Sequence, residues 1–260
     1  MEIEEVLSRA SSRIRDARVE LHALLPEEGR IGEFGPAYTA ALFANAAVHL
    51  KAVEILISEG LTSSAAVVLR PFIFGAIRLA WLAEAESSEE LDARVVAFQK
   101  SSLEYETGLL SKAKKSGGDR DQIENLSELL EQQKEEVQSW KSETETGKRP
   151  DDEIAIAETL NDMGGLITAV AILDQHAHVN RVAINSVLAL DPRVEEAIVI
   201  GDHPEPTLVP VMVTASMQAL SIAAQSFLKV VDPDSAIIEQ VRAAGQRWIS
   251  DAIKDAEAQS

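Results

Sequence analysis

Residues 45–85 read NAAVHLKAVEILISEGLTSSAAVVLRPFIFGAIRLAWLAEA, and the fold turns on this stretch. Apolar residues recur in it at three- and four-residue intervals over far more than the length of a strand, which predicts two helices. Glu59-Gly60 is the joint, because glycine accepts the left-handed backbone that ends a helix. Four polar groups stand on these apolar helices: His49, Arg70, Arg78 and the indole of Trp81. If they are buried, each needs a partner. A charge left unpaired in an interior costs several kcal/mol, so truncating Arg70 is expected to destabilise on that order.

Working outward, Ile3, Val6, Leu7, Ala10, Ile14, Ala17, Leu21 and Leu24 share one face of a first helix, stopped by Pro26 and Gly29. GRIGEFGP leads into the second helix near Pro36. The third helix is capped by Thr62, Ser63 or Ser64 and runs to about Ala85, with a kink expected at Pro71. Ser87-Ser88-Glu89-Glu90 holds a capping box that opens a fourth helix.

From Glu89 to about Trp140 the apolar stripe narrows. Leu91, Val95, Phe98, Ser102, Tyr105 and Leu109 form one seam; Ile123, Leu126, Leu130, Gln133, Val137 and Trp140 form the returning one. A Ser116-Gly117-Gly118-Asp119 turn joins them. Two charged helices with thin seams predict a helical hairpin, residues 89–145, standing as an arm inserted in a single bundle domain of residues 1–260. Beyond a polar linker, Asp151 or Asp152 caps a short helix, and Leu166–Leu190 reads as one long helix. Residues 193–210 read as loop, since Ala197-Ile198-Val199-Ile200, which could be a short strand, lacks an evident strand partner. Val211–Val231 and a last helix after Asp232-Pro233-Asp234 complete an all-α helical bundle with a protruding long hairpin.

With 46% hydrophobic residues the 260-residue chain can bury a sizeable core, and its 24 basic against 43 acidic residues give a net charge of −19. Such a surface repels phosphate backbones, so no nucleic-acid partner is expected. The absence of cysteine excludes disulfides and thiolate chemistry and fits a reducing cytoplasm. The first residues lack the pattern of a signal peptide. Leu208–Leu228 is uncharged and long enough to span a bilayer, but Pro210, Thr214, Ser216, Gln218, Ser221, Gln225 and Ser226 suit a helix at the centre of a soluble bundle, so no membrane is expected.

Asp174, His178, Arg181 and Asn185 fall at i, i+4, i+7 and i+11, a polar ladder beside an apolar one. Its nominated partners are Arg70 and His49, with Asp174 the carboxylate for Arg70. The candidate ligand-binding residues are therefore His49, Arg70, Arg78, Asp174, His178 and Arg181. No catalytic residue and no cofactor is assigned. His176 and His178 point about 200° apart on a helix, and neither E-x-x-H nor H-E-x-x-H occurs, so no metal is assigned. Gly32, Gly35, Gly164 and Gly165 have no flanking strand to make a phosphate loop. Lys112, Lys114, Lys115 and Arg120 form a short basic cluster at the arm tip.

The segment HLKAVEILISEGLTSSAAVVLRPFIFGAIRLAWL resembles a family of uncharacterised bacterial all-helical proteins. Arg70, Arg78 and Trp81 match its helix-pair pattern, and His178 within ILDQHAHVNR matches a later helix. The acidic position of that pattern is Phe74 here. The family is distantly similar to HEPN-like helical bundles, the nucleotide-binding and toxin ribonucleases of bacterial defence. Their R-x4–6-H signature is read as absent, with no histidine placed that far after an arginine, so ribonuclease chemistry is not expected. The resemblance implies a helical fold in a bacterial cytoplasm. The chain is accordingly expected to act without turnover, through a protein partner or as a homo-oligomer, most simply a dimer, in stress or defence. The alternative is a small-ligand or nucleotide-binding or nucleotide-hydrolysing bundle with a polar pocket around Arg70 and His178.

Overall fold

The computed structural model describes residues 3–25, 33–139, 152–177, 188–190, 198–200, 205 and 207–258. These form α1 (Ile3–Leu24), α2 (Phe34–Ser58), α3 (Thr62–Ala83), α4 (Ser88–Lys115), α5 (Arg120–Ser139), α6 (Glu153–Thr159), α7 (Gly164–Ala177), β1 (Leu188–Leu190), β2 (Ile198–Ile200), α8 (Leu208–Val231) and α9 (Ile237–Glu257). The fold is an all-α bundle.

α3 is the hub. It packs against α2 and α8, with α7 and α6 on its outer side, while α1 and α9 close the far side of α8. Small residues let it sit there: Gly75 lies against Ala46 of α2, close enough that an added Cβ would just make contact at 3.5 Å. Phe72, Leu69, Ile73, Ile77, Leu79 and Leu82 are almost fully enclosed. Each such side chain contributes roughly 1.5–3 kcal/mol of transfer free energy, so this helix is the main source of cohesion.

The local signals act largely where they were read. Gly60 takes φ 76° and Leu61 N–H returns to the Leu56 carbonyl, closing α2. Ser87 accepts from Glu90 N–H, and Glu90 reaches back to Glu86 N–H, so the capping box opens α4. Asp152 and Asp119 cap α6 and α5 through Ala155 and Gln122 N–H. Pro71 lies inside a continuous α3. Thr62 caps nothing on its own helix; its hydroxyl accepts from Glu205 N–H and ties that segment to the hub. The last helix also lacks a side-chain cap from Asp232 or Asp234.

Two expectations are corrected. Leu188–Leu190, expected as the end of a long helix, is a strand, and Ile198–Ile200, expected as loop, is its antiparallel partner, with Leu188 opposite Ile200 and Leu190 opposite Ile198. Ile198, Val199 and Ile200 are β-branched and suit a strand. Leu188-Ala189-Leu190 are good helix formers held as a strand by the ladder, whose partner lies outside any local period. The arm seam also shifts. Leu91, Val95 and Phe98 do pack on the main core, but Ser102, Tyr105 and Leu109 on the same face do not. α5 packs instead against Val96 and Leu103, using Leu130 and Val137, in a small separate core edged by Phe34 and Leu110. Leu126, placed in the returning seam by spacing, is 51% exposed. α4 thus changes neighbours halfway along, which one stripe cannot express. The expected end of the arm, residues 140–145, lies outside the described residues.

α2, α3 and α8 are each long and apolar enough to cross a membrane by length and composition. In the bundle, α3 and α8 bury 61% and 67% of their apolar windows, but α2 only 28%. Of the polar residues of α8 expected at the centre of a bundle, Ser216, Ser221 and Ser226 are buried, whereas Pro210, Thr214, Gln218 and Gln225 are only half-buried.

Candidate functional site

Arg70, Phe74, Arg78 and Trp81 recur along α3 at i, i+4, i+8 and i+11, which sets them on one stripe. That stripe faces α7, α6 and the start of α4, and each neighbour supplies a group to it. Arg70 Nε lies 2.6 Å from Asp174 Oδ1 of α7. Both of these atoms are shut from solvent, although the two side chains are 32% and 35% exposed. Arg78 Nε donates to Glu153 Oε1 at 2.8 Å, and its Nη2 binds the same oxygen. Glu153 sits in the first turn of α6, where a helix N-terminus favours a carboxylate.

Aromatic faces complete the stripe. The Arg70 guanidinium lies 4.9 Å over Phe74, Arg78 5.4 Å over Phe98, and Arg94 of α4 4.7 Å over Trp81. Trp81 and Phe98 meet edge to face at 5.1 Å. Arg94 also donates to the Trp81 carbonyl and is held by Glu90 at 2.6 Å. Burial raises the Tyr38 hydroxyl pKa above its ordinary value, an effect that the charge of Arg78 partly offsets. A cation flattened on a ring and paired with a carboxylate is fixed in orientation. The stripe therefore pins α4, α6 and α7 to the hub.

Asp174 is the partner that helix character nominated for Arg70. Phe74 carries the guanidinium face, and the carboxylate arrives from α7. His49 joins neither pair: its Nδ1 lies 3.0 Å from the Asn45 carbonyl one turn back. Arg70, Arg78 and Trp81 are half-buried where enclosure was expected, because α6 and α7 cover only part of α3. His178 and Arg181 lie outside the described residues. Sequence reasoning missed Glu153, Arg94 and Phe98 as members of this stripe. Glu153 had one signal, an acid directly after the helix-capping Asp152.

At the Trp81 end a cleft of about 780 Å³ opens between α3, α4, α8 and α9. Trp81, Arg94, Glu84, Lys229, Gln225 and Arg242 line it, and Arg70 does not. Its charges are internally matched: Lys229 binds Glu84 at 3.0 Å, and Arg242 binds Glu239 at 2.7 Å. Arg242 also donates to Gln225 at 3.3 Å, and Gln225 donates to Ser221 Oγ at 2.9 Å. Among the described residues no three His, Cys, Asp or Glu side chains converge as metal ligands. The ribonuclease spacing expected to be absent does occur once, which corrects that expectation, as Arg15 and His22 on α1, where Arg15 is occupied by Glu54.

The profile of a family described as "Family of unknown function (DUF5677)" matches residues 37–164. The chain resembles that family over this span. The match runs from the first turn of α2 to the start of α7, so it takes in the α3 stripe, the arm and Glu153, but neither Asp174 nor α8 and α9. No curated protein and no solved structure matches the chain.

Proposed function

We propose that the protein works by association through the α4–α5 arm, in the simplest case with a second copy of itself, and without catalytic turnover. One observation carries this reading: the core-facing stripe of α4 continues beyond the bundle with nothing among the described residues over it. Tyr105 is 69% exposed and Leu109 46%, and on α5 Leu126 and Leu129 are 51% and 49% exposed. At 100° per residue Tyr105 and Leu109 share the face of Leu91 and Phe98. On α5, Leu126 and Leu129 fall to one side of the seam residues Leu130 and Val137. Glu124, Glu128, Glu131 and Glu135 lie on the other, so the arm is amphipathic across its width. Pairing two such sides about a two-fold axis makes a four-helix contact that removes these apolar groups from water.

A cysteine-free, acidic chain fits the cytoplasm, and we place the association there, in a bacterial stress or defence setting that rests on the family resemblance alone. A small-ligand reading is favoured by one observation, the polar cleft beside Trp81 and Arg94. Light scattering on the intact chain, and on one with Gln99–Gln138 replaced by a short linker, tests the arm. Dimer for the first and monomer for the second is expected. A monomeric intact chain at high micromolar concentration, or an unchanged state after shortening, refutes the proposal. A thermal shift with ATP or phosphate in place of any change in mass would favour the cleft.

A further inference from the structure

A second cavity, of about 410 Å³, opens between α1 and α2, within the roughly 300–1,000 Å³ of small-molecule sites. Its floor is apolar: Leu21, Phe43, Ala46, Leu50, Phe72 and Leu220. Its rim is cationic, formed by Arg18 and Lys51 with His22 one turn beyond Arg18. Beside the rim Glu54, only 3% exposed, holds Arg15 at 3.1 Å, Arg18 at 3.2 Å and Lys51 at 2.9 Å. Among the described residues, three cations around one carboxylate leave two positive charges uncompensated within this cluster. On a chain of net charge −19, that concentration at the mouth of an apolar groove is the opposite of the surrounding field.

We propose that this groove binds an aliphatic carboxylate, its chain along Phe43, Phe72 and Leu220 and its head group between Arg18 and Lys51. Floor and rim each select one half of such a molecule. An apolar floor alone would take any hydrocarbon, and a cation pair alone would take any anion. Together they require both in one ligand, at a spacing set by the width of α2. Glu54 keeps the two cations oriented toward the mouth through hydrogen bonds that leave further N–H groups of each unspent.

Isothermal titration of the intact chain with hexanoate, octanoate and decanoate tests this. Each added methylene should tighten binding about fourfold, the equivalent of ~0.8 kcal/mol of buried CH₂. Octylammonium, matched in length, should bind at least tenfold more weakly than octanoate, although the protein's net charge favours the cation. Ala47→Trp, filling the groove mouth from a half-exposed position, should abolish octanoate binding. His22→Glu, on the exposed rim, should weaken it while leaving the thermal midpoint in place. Octylammonium binding as well as octanoate, an affinity independent of chain length, or an Ala47→Trp variant that binds normally each overturns the proposal. So does a chain that takes up no carboxylate but changes solution mass on Ala47→Trp, which would make the groove a contact between copies.

Discussion

Replacing Glu54 by Gln keeps the side-chain volume and removes the charge that three cations share. A hydrogen bond to a charged group is worth about 1.5–3 kcal/mol before solvent competes for it. Here Arg15, Arg18 and Lys51 are 52%, 30% and 45% exposed, so each recovers water once its carboxylate is gone. The amide also turns an N–H donor toward one of the three cations. The expected net loss is about 2 kcal/mol, or roughly 4–8 °C in thermal midpoint for a chain of this size. Burial pushes the Glu54 carboxyl pKa up, but hydrogen bonds from Lys51 and Arg15 and the charge of Arg18 outweigh it and hold it below the ordinary value. The folded pKa is therefore depressed relative to an unfolded value of about 4.3. The stabilisation is fully present above the unfolded pKa and is lost as pH falls through the folded one. Urea unfolding of wild type and Glu54→Gln should show a constant gap from about pH 5.5 to 8, closing below about pH 4. A gap under about 0.5 kcal/mol, the scale of ordinary surface substitutions, refutes the buried-anion reasoning. A gap of equal size at pH 3 and pH 7 does so too.

Arg70 and Asp174 are each about one-third exposed, so a double-mutant cycle of Arg70→Ala and Asp174→Ala should return a coupling of about 1 kcal/mol, not the several expected of a fully buried pair. A coupling above about 3 kcal/mol in denaturant titrations would show that water at the exposed parts of the two side chains does not screen the pair. An alanine Cβ at Gly245 would fall 1.9 Å from Ser221 Oγ and 2.6 Å from its Cβ, forcing α8 and α9 apart. Gly245→Ala should cost about 2–3 kcal/mol. Adding Ser221→Gly should recover at least ~1 kcal/mol of it, and equal stability of the single and double variants would show that the helices are not in contact there. Leu130→Ala, emptying the small arm core, should speed amide exchange between Leu103 and Val137 while exchange in α3 holds. Equal acceleration in α3 would show that arm and bundle unfold as one unit.

Periodicity and end signals carried most of the secondary structure, because both are local. Long apolar repeats predicted the helices around residues 45–85. Gly60, Ser87, Asp119 and Asp152 marked helix ends through bonds to backbone groups within five residues of themselves. The pairing of Arg70 with Asp174 was also legible, since a cation on an apolar helix demands a carboxylate and few apolar helices carry one.

What only the tertiary structure decided depends on where one element stops covering another. The same α4 face holds Phe98 in the core and leaves Tyr105 in water, because the bundle ends between them, and no residue in α4 records that end. Leu188–Leu190 became a strand because Ile198–Ile200 lay beside it. Glu54 reads as one acid in KAVEILIS, yet α1 brings it two arginines from almost forty residues away. A buried carboxylate is stable only with such partners, and the chain order of its partners is free to be anything the packing allows.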